Sequence, residues 1–390
     1  MNKLITVIDF NPDGICLASG YVDTQKNIQV VATTKGETLK FTNNFIDEEF
    51  ATTSLSTLLK IHHSKLPTNV ESSFVTLLPS FNCYINLKQH VEAFLRTNVV
   101  TYNDYENLIG ASSNHFRENA NFKDLAPLFV DPISYSANFA DYDTFPMGIK
   151  ATKLGMNYNE YFLPISLIQF YQRIFTNCEI IPSQYYFANF ASYNFMKTNF
   201  KKEDENKYFF CSIGESFSNI YFVYKNDIYA SYTLSFGIND IILKTSKKLN
   251  LSFERMKELL NMFGFENNVD FKYKTSIDGL SLADINSALM ETLTSYKVLF
   301  SEILTQYNSN NDLKLMCYGN CIKIKNFATA LSEVLGITDC FEIKNRVIGL
   351  RDSSFLSSLG AISAYNNILR LKEENISNQN INKSSYISRE

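Results

Sequence analysis

A chain of 390 residues with 45% hydrophobic and 19% charged residues is too long for a single core and too apolar for a disordered or collagen-like protein. Its formal net charge of -4 provides neither the electrostatic footprint of a nucleic-acid binder nor a polybasic membrane patch. The seven cysteines, Cys16, Cys83, Cys178, Cys211, Cys317, Cys321 and Cys340, lack the spacing of a disulfide scaffold or a zinc site and read as reduced thiols. The opening segment runs straight into a strand rather than a signal peptide, and no apolar run is long enough to span a bilayer, so the expected location is the cytoplasm.

In chain order, Leu4 to Phe10 and Ile15 to Val22 are apolar, β-branched runs separated by Asn11-Pro12-Asp13-Gly14, which predicts a β-hairpin. Asn27 to Thr33 adds a third strand. Helical spacing of Phe50, Leu55, Leu58, Leu59 and His62 predicts a helix over 47–62. From Phe74 to Leu154 the pattern becomes short strands with one modest helix, Tyr102 to Ala111, and a polar stretch at 112–123. Helices are then expected at Leu163 to Phe175 and Gln184 to Met196.

A second opening of the same kind follows. Lys207 to Ile213, Asn219 to Tyr224 and Ile228 to Leu234 read as strands, the last two joined at Asn226-Asp227. Helices are predicted at Ile238 to Leu249, at Ser252 to Phe263 with Ser252 as N-cap and Gly264 as stop, and at Leu282 to Tyr307. A strand at Leu313 to Tyr318, a turn at Gly319-Asn320 and helices at Asn326 to Leu335 and Phe355 to Leu371 complete the pattern. Twice the chain builds a hairpin-bearing sheet and covers it with helices, the mark of a duplicated α/β architecture with a cleft between its halves.

Several motifs carry a resemblance to a known family. Pro132, Tyr135, Pro146, Gly148 and Leu154 match the spacing of a Pro-x-x-Tyr-x-x-Asp, Pro-x-Gly-Met, Leu pattern, with Asn138 in place of its Asp. Asp9, Ile213-Gly214, the run from Ser235 to Ile241, Gly319, Val334-Leu335-Gly336 and the run from Ser357 to Tyr365 are collinear with the remaining motifs. Together they resemble the FtsA branch of the actin superfamily. The resemblance implies an α/β, actin-like two-lobed fold of duplicated mixed sheets flanked by helices, with an FtsA-type inserted subdomain. Its first-lobe core would be 1–79 and 159–205, the insert 80–158, the second-lobe core 206–236 and 311–371, and the outer part of the second lobe 237–310. Residues 372–390, polar and rich in Asn and Ser, read as a disordered tail with no amphipathic membrane helix.

Actin-type sites hold nucleotide between two glycine-bearing turns whose Asp residues organise magnesium and its waters. By resemblance, any retained ATP and Mg2+ would lie against Asp9, Asn11, Ser212, Gly214, Gly237, Lys257, Gly319 and Asn320. For Asp9, Gly214, Gly237 and Gly319 a second reading, plain turn chemistry, stays open. The chemistry has changed at several of these positions. Asn11 stands for a glycine, Ser212 for the second Asp, and Glu215 puts a carboxylate where phosphates would lie. Lys257 and Leu260 stand where the family places Glu and Lys, and Tyr318-Gly319-Asn320 replaces a run of glycines. These departures point away from an efficient ATPase.

The expected function is therefore an FtsA-like cell-division adaptor without catalytic residues. Its partner would be the C-terminal tail of the tubulin-like protein FtsZ, docked on 237–310, with self-association as a further expectation and neither nucleic acid nor a direct membrane anchor involved. The alternative is an ATP-binding actin-like scaffold or ATPase of a pilus-assembly or DNA-segregation system.

Overall fold

The computed structural model describes the chain except residues 1–2, 12–13, 38–40, 43–44, 69, 81–82, 118–122, 198–206, 225–226, 267–278, 308–311, 344–346, 348–349, 351 and 388–390. Two compact units emerge: one of residues 1–195 and 357–390, the other of residues 196–356.

The first unit opens with β1 (Leu4–Asn11), β2 (Gly14–Val22) and β3 (Ile28–Lys35), the first two forming the expected antiparallel hairpin. A short pair, β4 (Phe41–Thr42) and β5 (Phe45–Ile46), precedes α1 (Glu48–His63). Helix α1 begins where the Asp47 side chain accepts the Phe50 N–H, and it buries Ala51, Leu55, Leu58 and Leu59 on one stripe. Each such leucine contributes roughly 1.5–3 kcal/mol of burial. Strand β6 (Ser72–Leu78) then pairs parallel with β1.

A separate antiparallel sheet follows, made of β7 (Tyr84–Phe94), β8 (Leu125–Ala137), β9 (Ala140–Tyr142) and β10 (Lys153–Pro164) in the order β7-β10-β8-β9, with α2 (Tyr102–Arg117) against it. It has its own small core around Tyr105, Tyr135, Phe145, Leu154 and Met156. The motif residues support this sheet. Tyr135 meets the Phe145 ring edge-on at 5.3 Å, Leu154 is fully buried, and Asn138 accepts the Thr152 N–H at 2.9 Å. At their other ends β8 and β10 enter the main core, where Phe129 stacks on Tyr161 at 4.3 Å. The sheet thus runs past residue 158 to Pro164, and α2 continues six residues beyond Ala111 to Arg117, through part of the predicted polar stretch.

Helix α3 (Ile165–Asn177), strand β11 (Gln184–Phe187) and helix α4 (Ala188–Lys197) follow. The helix expected from Gln184 begins instead at Ala188. Residues 184–187 form a strand because Tyr185, Tyr186 and Phe187 add in parallel to the open edge of β6. The resulting order is β11-β6-β1-β2-β3.

The second unit repeats that sheet. Strands β12 (Lys207–Ile213), β13 (Ser218–Tyr224) and β14 (Asp227–Leu234) form an antiparallel meander. The predicted joint at Asn226 lies outside the described residues. Helices α5 (Ile238–Leu249), α6 (Phe253–Phe263), α7 (Leu282–Ser295) and α8 (Lys297–Tyr307) come next, then β15 (Leu313–Tyr318), a 3-10 helix (Gly319–Lys323), α9 (Phe327–Leu335) and β16 (Asp339–Glu342). Strands β15 and β16 add in parallel to β12, giving β14-β13-β12-β15-β16. Read from its other edge, this is the connectivity of the first sheet, so the duplication expected from the sequence is realised strand for strand.

Three further corrections concern helices. The single helix expected over 282–307 breaks at Tyr296, whose ring packs 4.4 Å from Phe236 and beneath the Lys244 ammonium at 4.9 Å. Helix α10 (Leu356–Ile387) runs through the tail that composition marked as disordered, since neither Pro nor Gly interrupts it after Gly360. It also belongs to the first unit rather than the second lobe, because Ala361, Ile362 and Tyr365 complete the first core.

Candidate functional site

The first turn belongs to the β1–β2 hairpin, in which Asp9 lies opposite Cys16 and Asn11 opposite Gly14. The Asp9 side chain is wholly buried. A buried carboxylate needs donors to replace its lost water, and Ser357, the second residue of α10, supplies one: its hydroxyl donates to Asp9 Oδ2 at 2.5 Å. Ser357 is itself buried. The sequence pattern marked the segment from Ser357 as family-like without marking its hydroxyl as a partner of Asp9.

The second turn links β12 to β13. Ile213 pairs with Ser218, and Gly214 N–H donates to Phe217 O at 2.9 Å across the loop. The loop backbone is seated on the start of α5. Ile238 N–H donates to Gly214 O and Asn239 N–H to Glu215 O, each at 2.9 Å, so the loop's own carbonyls take two donors that a helix start leaves free. Gly237 makes this seating possible, since a Cβ there would lie 2.3 Å from Glu215 O. Its N–H is held by the Asp240 carboxylate at 2.9 Å.

The other site residues of the second unit gather around this loop. Ser212, at the end of β12, faces Gly319, whose φ of +80° and missing Cβ let the Ser212 hydroxyl approach; an added Cβ would sit 2.8 Å from that oxygen. Asn320 follows in the 3-10 helix and is partly exposed. The Glu215 carboxylate, partly exposed, stands 3.9 Å from the Lys257 ammonium on α6. The two side chains therefore oppose each other as an ion pair on the flank of the loop. Ser212, Gly214, Gly237, Lys257 and Gly319 are brought together in the second unit, whereas Asp9 and Asn11 form the hairpin of the first.

The residues divide when tested against a magnesium nucleotide. The backbone of the second loop, with Gly214 and Gly237 in place, fits the close approach of a phosphate. In the second unit the side chains do not fit the metal, because magnesium takes carboxylate oxygens and waters, while Ser212 offers a hydroxyl, the Asp240 carboxylate holds the Gly237 N–H and Glu215 is set against a lysine.

No protein-family model matches the chain, and no curated protein matches it. Solved structures do. One chain of a PilM–PilN type IV pilus biogenesis complex superposes with a TM-score of 0.61 at 11% identity, covering 94% of this chain and 99% of that one. The ethanolamine utilization protein EutJ from Carboxydothermus hydrogenoformans gives a TM-score of 0.51 at 11% identity, covering 93% of this chain and 90% of that one. MreB5 of Spiroplasma citri bound to ADP gives 0.51 at 10% identity, with 96% and 99% covered. Duplicated sheets of matching connectivity and this near-complete superposition establish that the chain has the actin-like ATPase fold.

Proposed function

We propose that this chain is an actin-fold adaptor of the FtsA kind, a cytoplasmic scaffold that joins partner proteins and does not turn over nucleotide efficiently. The observation that carries the reading is the chemistry of the second turn, which presents Ser212 and a Glu215–Lys257 pair in place of a metal-organising carboxylate. Nucleotide, where retained, would act structurally through the loop backbone.

The proposed docking region is the helical part of the second unit, residues 237–310, and its proposed partner is the C-terminal tail of an FtsZ-like tubulin homologue. Leu259, Leu260 and Phe265 are core. Among the described residues the exposed large apolar side chains there are Leu243, Met262, Val298 and Leu299. Lys244, Lys247 and Arg255 add positive charge suited to an acidic peptide; Lys272 and Lys274 lie outside the described residues. Fluorescence anisotropy with the tail peptide tests this reading. Salt-sensitive binding on the order of micromolar, weakened by Met262→Asp and Val298→Asp, is expected. Absence of binding at low salt would overturn it.

A second reading, a pilus-assembly scaffold, gains weight from the superposition on a PilM–PilN chain over nearly the whole of both proteins. Co-purification with a PilN-type partner in place of the tubulin-like tail would favour it.

A further inference from the structure

Strand β10 runs through two cores of the first unit. Leu154, Met156 and Tyr158 belong to the small core shared with α2, whereas Tyr161 and Leu163 belong to the main one. Between them the ladders on both sides are interrupted. Against β7 the register shifts between Tyr158 and Glu160, where Lys88, at a φ of +54°, gives its N–H to the Asn159 side chain at 2.9 Å. Against β8 it shifts twice, between Asn157 and Tyr158 and again between Tyr161 and Phe162. The β8 residues opposite Tyr158 and Phe162 are Pro132 and Pro127, which have no N–H to give the ladder.

Glu160 sits in the middle of this stretch. Alternate residues of a strand share a face, so its neighbours there are Tyr158 and Phe162, and all three are buried. Among the described residues Glu160 Oε1 has no hydrogen-bond partner. The neighbouring strands bring Asp131, opposite Asn159, and Tyr84, opposite Phe162, to this stretch, with Lys88 at the β7 irregularity. Helix α2 adds Tyr105 to the small core, and α3 carries Arg173, which Glu48 already holds. Burial raises the Glu160 pKa from 4.5 to about 7.

We propose that residues 157–162 of β10 form a hinge on which the four-stranded sheet turns against the main core, opened when the buried Glu160 carboxyl gives up its proton. With its proton on, the side chain is a neutral polar group packed between two aromatic neighbours. Without it, the carboxylate needs donors that the closed strand does not supply, and water reaches it where the ladders are already thinned. In the open form the group is solvated and returns to its ordinary pKa. The closed form therefore holds a proton that the open form has lost between pH 4.5 and 7, so opening gains ground through that range and levels off above it. From pH 5.5 to 8 the ratio of open to closed rises about twentyfold.

The test attaches spin labels through p-acetylphenylalanine at two exposed positions of the full chain, Phe139 in the β8–β9 turn and Ile61 on α1, which leaves the native thiols unlabelled. Double electron–electron resonance then reads the distance between the four-stranded sheet and the main core. At pH 8 a second distance is expected, its population relative to the first about twentyfold greater than at pH 5.5. Glu160→Gln, which cannot ionise, should keep the pH 5.5 distribution at pH 8. An unchanged distribution across this range in the chain with Glu160 intact overturns the proposal, and so does a Glu160→Gln protein that answers to pH in the same way. The first of these comparisons decides the matter even if the substitution at Glu160 does not fold.

Discussion

The hydroxyl of Ser357 donates to the carboxyl group of Asp9 across 348 residues of sequence, so the helix that closes the first unit supplies a donor to a buried polar group on its first strand. Removing that hydroxyl leaves the carboxylate short of a donor. Ser357→Ala is expected to destabilise the first unit by about 2 kcal/mol in urea unfolding, in line with hydrogen bonds to charged groups. Combining it with Asp9→Asn should cost less than the sum of the two single changes, and strict additivity would show that the pair is not coupled.

The altered turns predict little steady-state phosphate release from ATP with magnesium. Ser212→Asp with Glu215→Gly removes a carboxylate from the loop tip and adds one at the end of β12, where it could organise a metal. This double variant is expected to bind nucleotide at least about tenfold more tightly, equivalent to roughly 1.4 kcal/mol. Calorimetric titration checks it. Turnover by the wild type at an ordinary ATPase rate, abolished by Asp9→Ala, would contradict the adaptor reading.

Two buried groups of the first unit set opposing pH dependences. His62 accepts or donates hydrogen bonds with Ser19 at 2.7 Å and Thr34 at 3.0 Å, and burial, helped by the charges of Lys65 and His63, lowers its pKa from 6.5 to about 4. Between those values the unfolded chain takes a proton that the native state refuses, so stability falls as pH drops from 6.5 towards 4. Glu160, buried on the central strand β10, has its pKa raised by burial from 4.5 to about 7. The native state there keeps a proton that the unfolded chain has lost, so stability falls as pH rises from 4.5 through 7. Unit stability should therefore be nearly level from about pH 4.5 to 6.5 and decline on both sides. Glu160→Gln should remove the alkaline decline, a gain on the order of 3 kcal/mol at pH 8 with little change at pH 4. An unchanged profile in denaturant unfolding would count against this assignment.

Glycine at two helical positions should answer differently to alanine. An added Cβ at Gly110, on α2, meets nothing within 4 Å, so Gly110→Ala should stabilise by about 0.5–1 kcal/mol through helix propensity. The Cβ of an alanine at position 360 would fall 1.7 Å from Ala191 O on α4, and the forced separation of the two helices should cost more than propensity returns. Thermal melts of both variants would show opposite shifts.

Co-sedimentation with anionic vesicles should be negative. Although α10 extends through the tail, Ile376, Ile381 and Ile387 recur at intervals of five and six residues, not the three or four that make an apolar helix stripe, and the net charge is -4. Robust binding lost on deleting residues 372–390 would contradict that expectation.

Much of the fold was legible where local chemistry is decisive. Ser252 as an N-cap, Gly264 as a helix stop, and the strands of the two hairpins could be read because each depends on residues a few positions apart. What escaped reading depends on distant contacts. Gln184 to Phe187 become a strand through an open edge of β6 more than a hundred residues earlier, and the break at Tyr296 follows the packing of its ring on Phe236. At the candidate site the turns were visible as Asp and Gly patterns. The Ser357 hydroxyl was not, since no periodicity links a residue at one end of a chain to a carboxylate at the other.

The membership of α10 has a consequence for synthesis. Because residues 196–356 form a continuous unit and the other unit takes its closing helix from residue 357 onward, a ribosome releases the later-encoded unit ready to fold while the earlier-encoded one still waits for its last segment. A nascent chain halted before position 357 would lack the Ser357 hydroxyl at Asp9 and the core residues Ala361, Ile362 and Tyr365, so a truncation before that position is expected to expose the first unit to proteases.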